Sequence, residues 1–374
     1  MNVLFLYDKM DLPETQLNAR LFDSGEITGR VLCNTSGGNH KILSDAGYLV
    51  ETLICKSRID VKAISQLRQV LKQQTFDAVH AFTAKTLSNV LFSLIGLQHK
   101  PKIIAYRGAI GNVSKIDPMA WCTYLHPSIS MITCVSEAVR QYLLSVGLAS
   151  DKLVTIYKGH EVSWYETQRP KSLNEMGVPE GSFVISCVAN MRKNKGVDVL
   201  LKAAIACSDI ANLHIVLIGE VRDSKVLELT KDRKIQGRVH LLGYRSDAVS
   251  FLRESDVFVM PSRDREGLPK AVIEAMSVSV CPVVTSVGGM PELVDNDLNG
   301  LVIPPNDIDA LAKALRYLHQ QPDRRKELGI KAKNKIESNF HINQTVEKTL
   351  ALYRNVVGDR SKGACENVGK SSIH

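Results

Sequence analysis

The stretch Val257-Phe-Val-Met-Pro-Ser-Arg-Asp-Arg-Glu-Gly-Leu-Pro-Lys-Ala-Val-Ile-Glu-Ala-Met276 places a polar loop between two hydrophobic segments. Its first four residues are typical of a strand buried in a sheet. The loop turns at Glu266-Gly267, and Pro269 is a favoured first residue for the helix that follows, predicted at 269–277. Cys281-Pro-Val-Val-Thr285 then predicts another strand. Strand, helix and strand in this order form the repeating unit of a parallel sheet.

The same alternation extends along the chain in both directions. We predict strands at 3–7, 30–33, 48–54, 76–80, 102–106, 130–135, 183–189, 213–218 and 239–242. Helices are predicted at 61–74, 137–146, 196–206, 224–232 and 246–254. We therefore expect an α/β protein with two Rossmann-like, doubly wound parallel-sheet domains. Because parallel sheets bind ligands beyond the carboxyl ends of their strands, we expect the two domains to face a central cleft.

The length of 374 residues also favours two domains. Residues 166–180 are polar, contain two prolines and lack apolar periodicity, so we predict a linker there between domains at 1–165 and 181–339. Residues 358–374 are rich in Gly, Ser, Lys and Asn and predict a disordered tail.

Composition excludes several classes of protein. With 44% hydrophobic and 23% charged residues, the chain is not collagen-like, of low complexity or wholly disordered. Its longest apolar run, residues 90–97, is far shorter than the ~20 residues that span a bilayer. The first residues have no basic region or cleavage site, and the eight cysteines form no Cys-x-x-Cys pair. We expect a soluble cytoplasmic protein with buried reduced thiols and no signal peptide.

The formal charge of +8 indicates a negatively charged partner. Nucleic acid, a phosphorylated metabolite and an anionic membrane surface all fit this charge. Basic side chains that would suit a membrane are Lys62, Arg68, Lys72, Lys85, Lys100 and Lys102, although such residues are usually a solvated face. An aromatic content of 6% provides few stacking surfaces and makes nucleic acid the weakest of the three.

The helix after Pro269 begins with free amides and a partial positive charge, which suits a diphosphate. Glu266 and Glu274 are eight residues apart, and a rise of ~1.5 Å per residue would separate their carboxylates by roughly 10 Å. That distance is about the span from the ribose to the sugar of a nucleotide-sugar, and a carboxylate accepts hydrogen bonds from both ribose hydroxyls. An isolated pair at this spacing is common by chance, and a solvated helix is then the alternative.

Several motifs together resemble one family. Glu266-Gly-Leu-Pro-Lys-Ala-Val-Ile-Glu274 resembles the Glu-x7-Glu signature of the retaining glycosyltransferases of family 4, which have the GT-B fold. The similarity continues through Pro282-Val-Val-Thr-Ser-Val-Gly-Gly-Met-Pro-Glu-Leu-Val294 and Asn299-Gly-Leu-Val-Ile-Pro-Pro305. Ala189-Asn-Met-Arg-Lys-Asn-Lys-Gly-Val-Asp-Val-Leu-Leu201 resembles the basic loop that binds diphosphate. In the first domain only Val135-Ser-Glu-Ala-Val139 and Ile156-Tyr-Lys-Gly159 clearly resemble the family.

The resemblance implies roles for individual residues of the second domain. Glu274 would bind the ribose and Glu266 the transferred sugar. Arg192 and Lys195 would neutralise the leaving diphosphate, which two fixed cations can do without a metal. A solvated loop is the alternative for these two cations.

The chain departs from the family at Pro269, where many members have Gly. Proline has no amide to donate, so the amides of Leu268 and Lys270, beside Gly267, would have to bind the phosphates. On resemblance alone, Gly243 and Tyr244 line the pocket for the base. We also expect a returning helix at about 340–357 to join the first domain.

Candidates in the first domain have structural alternatives. Arg107-Gly108 stands where relatives often have His-Gly, and Arg107 would hold a phosphate or an anionic acceptor, or form a structural salt bridge. His80, at a strand end, would point into the cleft or be a hydrogen-bonded core histidine. Gly37, in Ser36-Gly37-Gly38, would let a ligand approach the backbone or form a plain turn.

No cofactor or metal is expected. Asp295-x-Asp297 lies in a turn, and Asp307-x-Asp309 precedes a helix, where aspartate is a capping residue. We expect a retaining hexosyltransferase that uses a UDP-sugar, or else a GDP-sugar, with same-face attack on a glycan or lipid-linked acceptor in cell-surface polysaccharide or lipopolysaccharide synthesis. The alternatives are a GT-B-fold nucleotide-sugar isomerase or hydrolase and a nucleic-acid-binding protein.

Overall fold

The computed structural model describes residues 1–36 and 38–358. The predicted ligand approach at Gly37 and most of the predicted tail therefore lie outside the described residues. The chain divides into two compact units. Among the described residues, the first unit contains 1–36, 38–135, 139–159 and 342–358, and the second contains 136–138 and 160–341.

The first unit is built on a parallel sheet of seven strands in the order β3-β2-β1-β4-β5-β6-β7. The strands are β1 (Asn2–Leu6), β2 (Thr28–Cys33), β3 (Val50–Thr52), β4 (Ala78–Ala81), β5 (Lys102–Arg107), β6 (Ile129–Cys134) and β7 (Leu153–Thr155). The helices in this part of the chain are α1 (Leu12–Asp23), α2 (His40–Asp45), α3 (Val61–Gln73), α4 (Ala84–Ser93), α5 (Pro118–Trp121) and α6 (Glu137–Ser145).

The second unit is built on a parallel sheet of six strands in the order β10-β9-β8-β11-β12-β13. The strands are β8 (Phe183–Val188), β9 (Leu213–Ile218), β10 (Val239–Gly243), β11 (Val257–Met260), β12 (Cys281–Thr285) and β13 (Leu301–Ile303). The helices are α7 (Ser163–Glu166), α8 (Val197–Ala206), α9 (Ser224–Leu229), α10 (Ala248–Leu252), α11 (Lys270–Ser277), α12 (Met290–Leu293), α13 (Ile308–Gln320) and α14 (Pro322–Asn339). The last helix of the described chain, α15 (Ile342–Val357), packs against α1 in the first unit.

The two parallel α/β sheets confirm the predicted fold class. In the second unit, the strand order reverses between β8 and β11, which pair directly at Ile185 and Val257. Open parallel sheets bind ligands where the order reverses, beyond the carboxyl ends of the strands. The loops that leave β8 and β11 at this point are the basic loop and the loop with Glu266.

Residues 166–180, predicted as a linker, belong to the second unit. Leu173 and Val178 are buried there in a cluster with Val184 and Phe251. The Lys171 amide also donates a hydrogen bond to the Ser250 carbonyl at 3.0 Å. Two apolar side chains in a polar stretch have no periodicity, so the sequence pattern did not indicate that they are buried.

The predicted start of α11 is also corrected by one residue. Pro269 has an extended backbone, with a ψ angle of 116°, and caps the helix that begins at Lys270. The carbonyl of Pro269 accepts hydrogen bonds from the amides of Val272 and Ile273. The first two amides of α11, those of Lys270 and Ala271, therefore have no acceptor in the cap.

Candidate functional site

Close backbone contacts hold the basic loop against the end of β11. The Arg263 amide donates a hydrogen bond to the Asn194 carbonyl at 2.8 Å. Gly196 has a φ angle of +65°, and a Cβ atom there would lie 2.0 Å from the Pro261 carbonyl oxygen. Only glycine fits this position, because a side chain would be both strained and in collision with backbone.

The Arg263 side chain crosses between the same two loops. Its guanidinium donates hydrogen bonds to the Asp198 carboxylate at 2.7 Å, to Asn306 Oδ1 at 2.6 Å and to the Lys193 carbonyl. Asp198 is buried, and Arg263 holds the pKa of its carboxyl below its usual range even though burial alone would raise it. Sequence reasoning missed Arg263 and Asp198 as site residues. Both residues lie within the quoted motifs, but nothing in the local sequence indicates that they pair with each other.

Lys195 and Glu266, predicted as site residues from separate motifs, form an ion pair. Lys195 Nζ lies 2.6 Å from Glu266 Oε1, although 71 residues separate them in the chain. Ser262 Oγ donates a hydrogen bond to the same oxygen at 2.6 Å. The Glu266 side chain is only 8% exposed, whereas Lys195 keeps 25% of its side-chain surface accessible. The pair therefore places a partly accessible ammonium group beside a buried carboxylate.

Two further glycines allow the loop with Glu266 to approach the loop after β12. A Cβ atom on Gly288 would lie 1.9 Å from the Glu266 carbonyl oxygen, and one on Gly289 would lie 2.0 Å from that of Gly267. The Gly289 amide donates a hydrogen bond to the Gly267 carbonyl at 2.9 Å. The Gly-Gly pair belongs to a motif that resembles the family, but the local sequence does not indicate its contact with the loop of Glu266.

The N-terminus of α11 presents unused amides. Because the helix begins at Lys270, its first amides have no acceptor within the helix. The Leu268 amide also has no hydrogen-bond acceptor in the described part of the chain. One turn along, Lys270 Nζ lies 3.1 Å from Glu274 Oε1, and most of the Glu274 side chain is buried. Helix dipole, amides and Lys270 together favour an anion at this end.

Arg192 differs from the other cations of the basic loop. Its side chain is exposed and has no ion-pair partner among residues 1–36 and 38–358. Its backbone is fixed, since its amide donates a hydrogen bond to the Asn190 carbonyl at 2.7 Å. The guanidinium is therefore available to an external anion.

Gly243 and Tyr244 lie farther along the sheet. Gly243 is the last residue of β10, the edge strand, and its carbonyl accepts a hydrogen bond from the Gly219 amide at 2.7 Å. Tyr244 is largely exposed. The order of strands places these residues two strands from β8, and their role at the base stays a prediction.

Arg107 is the last residue of β5 in the first unit. Its guanidinium lies over the Tyr124 ring at 4.8 Å and donates a hydrogen bond to the Gly111 carbonyl. Its Nε is buried and has no acceptor within the described residues, and no carboxylate there pairs with Arg107. The alternative of a structural salt bridge is therefore wrong for the described chain. Gly108 packs against the Tyr106 ring, where a Cβ atom would lie 2.9 Å from Cε1.

His80 is a core histidine and not an open acceptor-side residue. Its Nδ1 lies 2.8 Å from the Tyr353 hydroxyl, and its Nε2 lies 3.3 Å from Thr133 Oγ1. Burial lowers the pKa of the imidazole to about 3, so the ring is neutral at physiological pH. Of the two alternatives that the strand-end position left open, the structure supports the hydrogen-bonded core histidine, because the side chain packs under α15.

The described residues contain no group of three or more His, Cys, Asp or Glu side chains arranged to hold a metal ion. Asp307 instead caps α13, since its carboxylate accepts a hydrogen bond from the Ala310 amide at 2.8 Å. No helix within residues 1–36 and 38–358 combines the length and apolar character needed to cross a membrane.

Comparison with known proteins places these features in a family. Residues 30–164 match the family model described as Glycosyltransferase Family 4, and residues 168–335 match the one described as Glycosyl transferases group 1. Over 348 residues the chain is 27% identical to the UDP-Gal:alpha-D-GlcNAc-diphosphoundecaprenol alpha-1,3-galactosyltransferase of Escherichia coli, covering 87% of this chain and 89% of that protein. Over 248 residues it is 25% identical to the capsular polysaccharide biosynthesis glycosyltransferase CapM of Staphylococcus aureus, covering 62% and 64%.

Solved structures agree in fold. A glycosyltransferase from Rickettsia africae aligns with a TM-score of 0.79 and 18% identity, covering 96% of this chain and 99% of the other. Anabaena Alr3699/HepE in complex with UDP aligns with a TM-score of 0.76 and 16% identity, covering 95% and 100%. This chain is thus a glycosyltransferase of the GT-B fold and belongs to the group 1 glycosyltransferases of family 4.

Proposed function

We propose that this glycosyltransferase moves a hexose from a UDP-sugar to a lipid-linked or glycan acceptor, with retention at the anomeric carbon and without a metal. The observation that supports this most is the Lys195–Glu266 ion pair at the point where the strand order of the second unit reverses. A diphosphate bound beside it would meet Lys195, the free Arg192 guanidinium and the first amides of α11. Fixed cations and amides stabilise the charge that develops on a leaving diphosphate.

The bonds that break and form in the proposed transfer define the role of each group. The bond between the anomeric carbon and the β-phosphate oxygen breaks, and its electron pair stays on the diphosphate. The acceptor hydroxyl oxygen bonds to the same face of the anomeric carbon, and its proton goes to the departing phosphate oxygen. Glu266 already accepts hydrogen bonds from Lys195 and Ser262 through one oxygen, so we assign it to positioning Lys195 and contacting the sugar.

The names of the relatives support a choice of donor and acceptor. The Escherichia coli relative is named for UDP-Gal and a diphosphoundecaprenol acceptor, and the Anabaena protein was solved with UDP. We therefore favour UDP over GDP, with Glu274 on the ribose and with Gly243 and Tyr244 at the base. A diphosphate-linked acceptor would suit Arg107, whose Nε lacks a partner in the described structure. The CapM name favours cell-surface polysaccharide synthesis.

Such an acceptor would require contact with an anionic membrane, and we propose a peripheral enzyme at its cytoplasmic face. The formal charge of +8 supports this contact. The proposal that the enzyme binds a membrane does not depend on the proposed chemistry of the second unit, and a separate experiment tests each proposal.

Arg192→Ala tests the chemistry, with Lys193→Ala as the matched control. Both residues are exposed cations of the same loop. With labelled UDP-hexoses and an isoprenoid-diphosphate glycan, we expect Arg192→Ala to slow transfer about 100- to 1,000-fold and Lys193→Ala to change it little. Equal, small effects of the two variants would refute the assignment. Release of free sugar or an epimer without any acceptor product would favour the hydrolase or isomerase.

A further inference from the structure

The loop before α3 and the first turn of that helix present an unusual apolar surface in the first unit. Ile54, Ile59 and Val61 are 49%, 51% and 77% exposed, although β-branched aliphatic side chains are usually buried. They line one concavity together with Lys56 and Lys62. We call these five residues the α3 surface.

Hydrogen bonds fix the loop that carries this surface. The Asp60 amide donates to Asn89 Oδ1 at 2.8 Å, and Asn89 Nδ2 donates to the Ser57 carbonyl at 2.9 Å. Asn89 is completely buried in α4. The aliphatic side chains are therefore held outward by an ordered loop rather than exposed by a fluctuation.

The chain segment that carries the α3 surface is rich in positive charge. Residues 54–74 contain five basic residues and a single acidic one, Asp60. The Asp60 carboxylate accepts hydrogen bonds from the amides of Lys56, Lys62 and Ala63, and these bonds lower its pKa. The ammonium groups of Lys56, Lys62 and Lys72 have no ion-pair partner among the described residues.

The structure revises the set of basic residues suggested by the sequence. Arg68 donates hydrogen bonds to the carbonyls of Ser93 and Ile95, and Lys85 pairs with Asp8 at 3.5 Å. Both therefore have structural partners within the unit. Of the cations without an ion-pair partner in the described part of the chain, Lys56 and Lys62 lie in the same concavity as the exposed aliphatic side chains, whose exposure the sequence pattern did not show.

We propose that the α3 surface docks on an anionic phospholipid bilayer, with Ile54, Ile59 and Val61 in the interface and Lys56 and Lys62 at the headgroups. Exposed aliphatic side chains gain free energy in a bilayer, and adjacent cations are attracted to anionic lipids. Nucleic acid has no comparable use for three aliphatic side chains. This inference deepens the membrane contact proposed above, and its test requires no transfer activity.

Flotation with vesicles of equal parts phosphatidylglycerol and phosphatidylcholine tests the proposal on the full chain. Neutralising one lysine at an anionic surface costs about fivefold in binding, so Lys56→Gln/Lys62→Gln should lower the partition coefficient about 25-fold. Ile59→Ser/Val61→Ser should lower it tenfold or more, since burying one such side chain is worth about that factor. The matched control is Lys231→Gln/Lys234→Gln, which removes two exposed cations from the second unit and should bind like wild type.

Three results with vesicles would overturn the proposal. The first is that wild type binds vesicles of pure phosphatidylcholine as well as the mixed vesicles. The second is that the control variant loses as much binding as the lysine variant. The third is that the serine variant binds as well as wild type. Retention of a DNA duplex that is lost with the same lysines, without vesicle binding, would also overturn it. Thermal stabilisation by UDP, measured on every variant, reports on the nucleotide site independently, so failure of docking and failure of the proposed chemistry are distinguishable.

Discussion

Replacing Lys195 by methionine separates the structural and chemical roles of the ion pair. The change keeps the aliphatic stem but removes the ammonium group 2.6 Å from Glu266. A carboxylate that is 8% exposed is then left with the Ser262 hydroxyl as its remaining side-chain donor in the described chain. Breaking a fully buried pair costs about 3–5 kcal/mol, and solvent screening at Lys195, which is 25% exposed, reduces this to about 2 kcal/mol.

This cost predicts a measurable change in stability. The second unit has about 180 residues, and a domain of that size loses about 2–4 °C in melting temperature per kcal/mol. We therefore expect Lys195→Met to lower the midpoint of that unit by about 4–8 °C. The double variant Lys195→Met/Glu266→Gln should recover most of this loss, because a neutral amide is cheaper to bury than an unpaired carboxylate.

Transfer should behave differently from stability. Both variants lack the cation that we propose neutralises the leaving diphosphate, so both should transfer sugar about 100- to 1,000-fold more slowly. Lys193→Met, in the same loop, should change neither quantity. The reasoning is refuted if the double variant is no more stable than the single one, or if the stable double variant transfers at the wild-type rate.

Three further predictions follow. Glu274→Ala would remove the hydrogen bonds that we propose to the ribose, worth about 1.5–3 kcal/mol, so UDP should bind roughly 10- to 100-fold more weakly by calorimetry. An unchanged affinity would contradict the ribose role. Arg263→Ala removes the bridge between the two loops and leaves buried Asp198 without this guanidinium, so kcat should fall. Guanidinium added to the assay should partly restore kcat. A fall in melting temperature without such rescue would indicate a purely structural role. Burial lowers the pKa of His80 to about 3 in the folded state from 6.5 in the unfolded state, so the unfolded state binds more protons between these values. The contribution of His80 to stability therefore falls by about 1.4 kcal/mol per pH unit as the pH drops from 6.5 toward 3. Urea unfolding at pH 7 and pH 5 should show that His80→Gln loses less free energy of unfolding than wild type over this interval. Equal losses in the two proteins would show that His80 is not the source of the pH dependence.

Local patterns in the sequence were sufficient for the elements around the site. The predicted strands at 213–218, 257–260 and 281–285 have the observed bounds, because buried parallel strands are continuous hydrophobic runs. The three-residue strands β7 and β13 are too short to produce such a run. The start of α11 was placed one residue early because proline fits both the cap and the first turn.

The sequence by itself determined the alternation of strands and helices and the residue types of the candidate site. Hydrophobic periodicity and the turns favoured by glycine and proline depend only on residues that are close together in the sequence. Only the tertiary structure decided that Lys195 reaches Glu266, that Arg263 reaches Asp198, that His80 is buried and that Val61 is exposed. The reason is physical: these relations depend on which strands become neighbours and which helix covers each face. No short stretch of sequence contains that information.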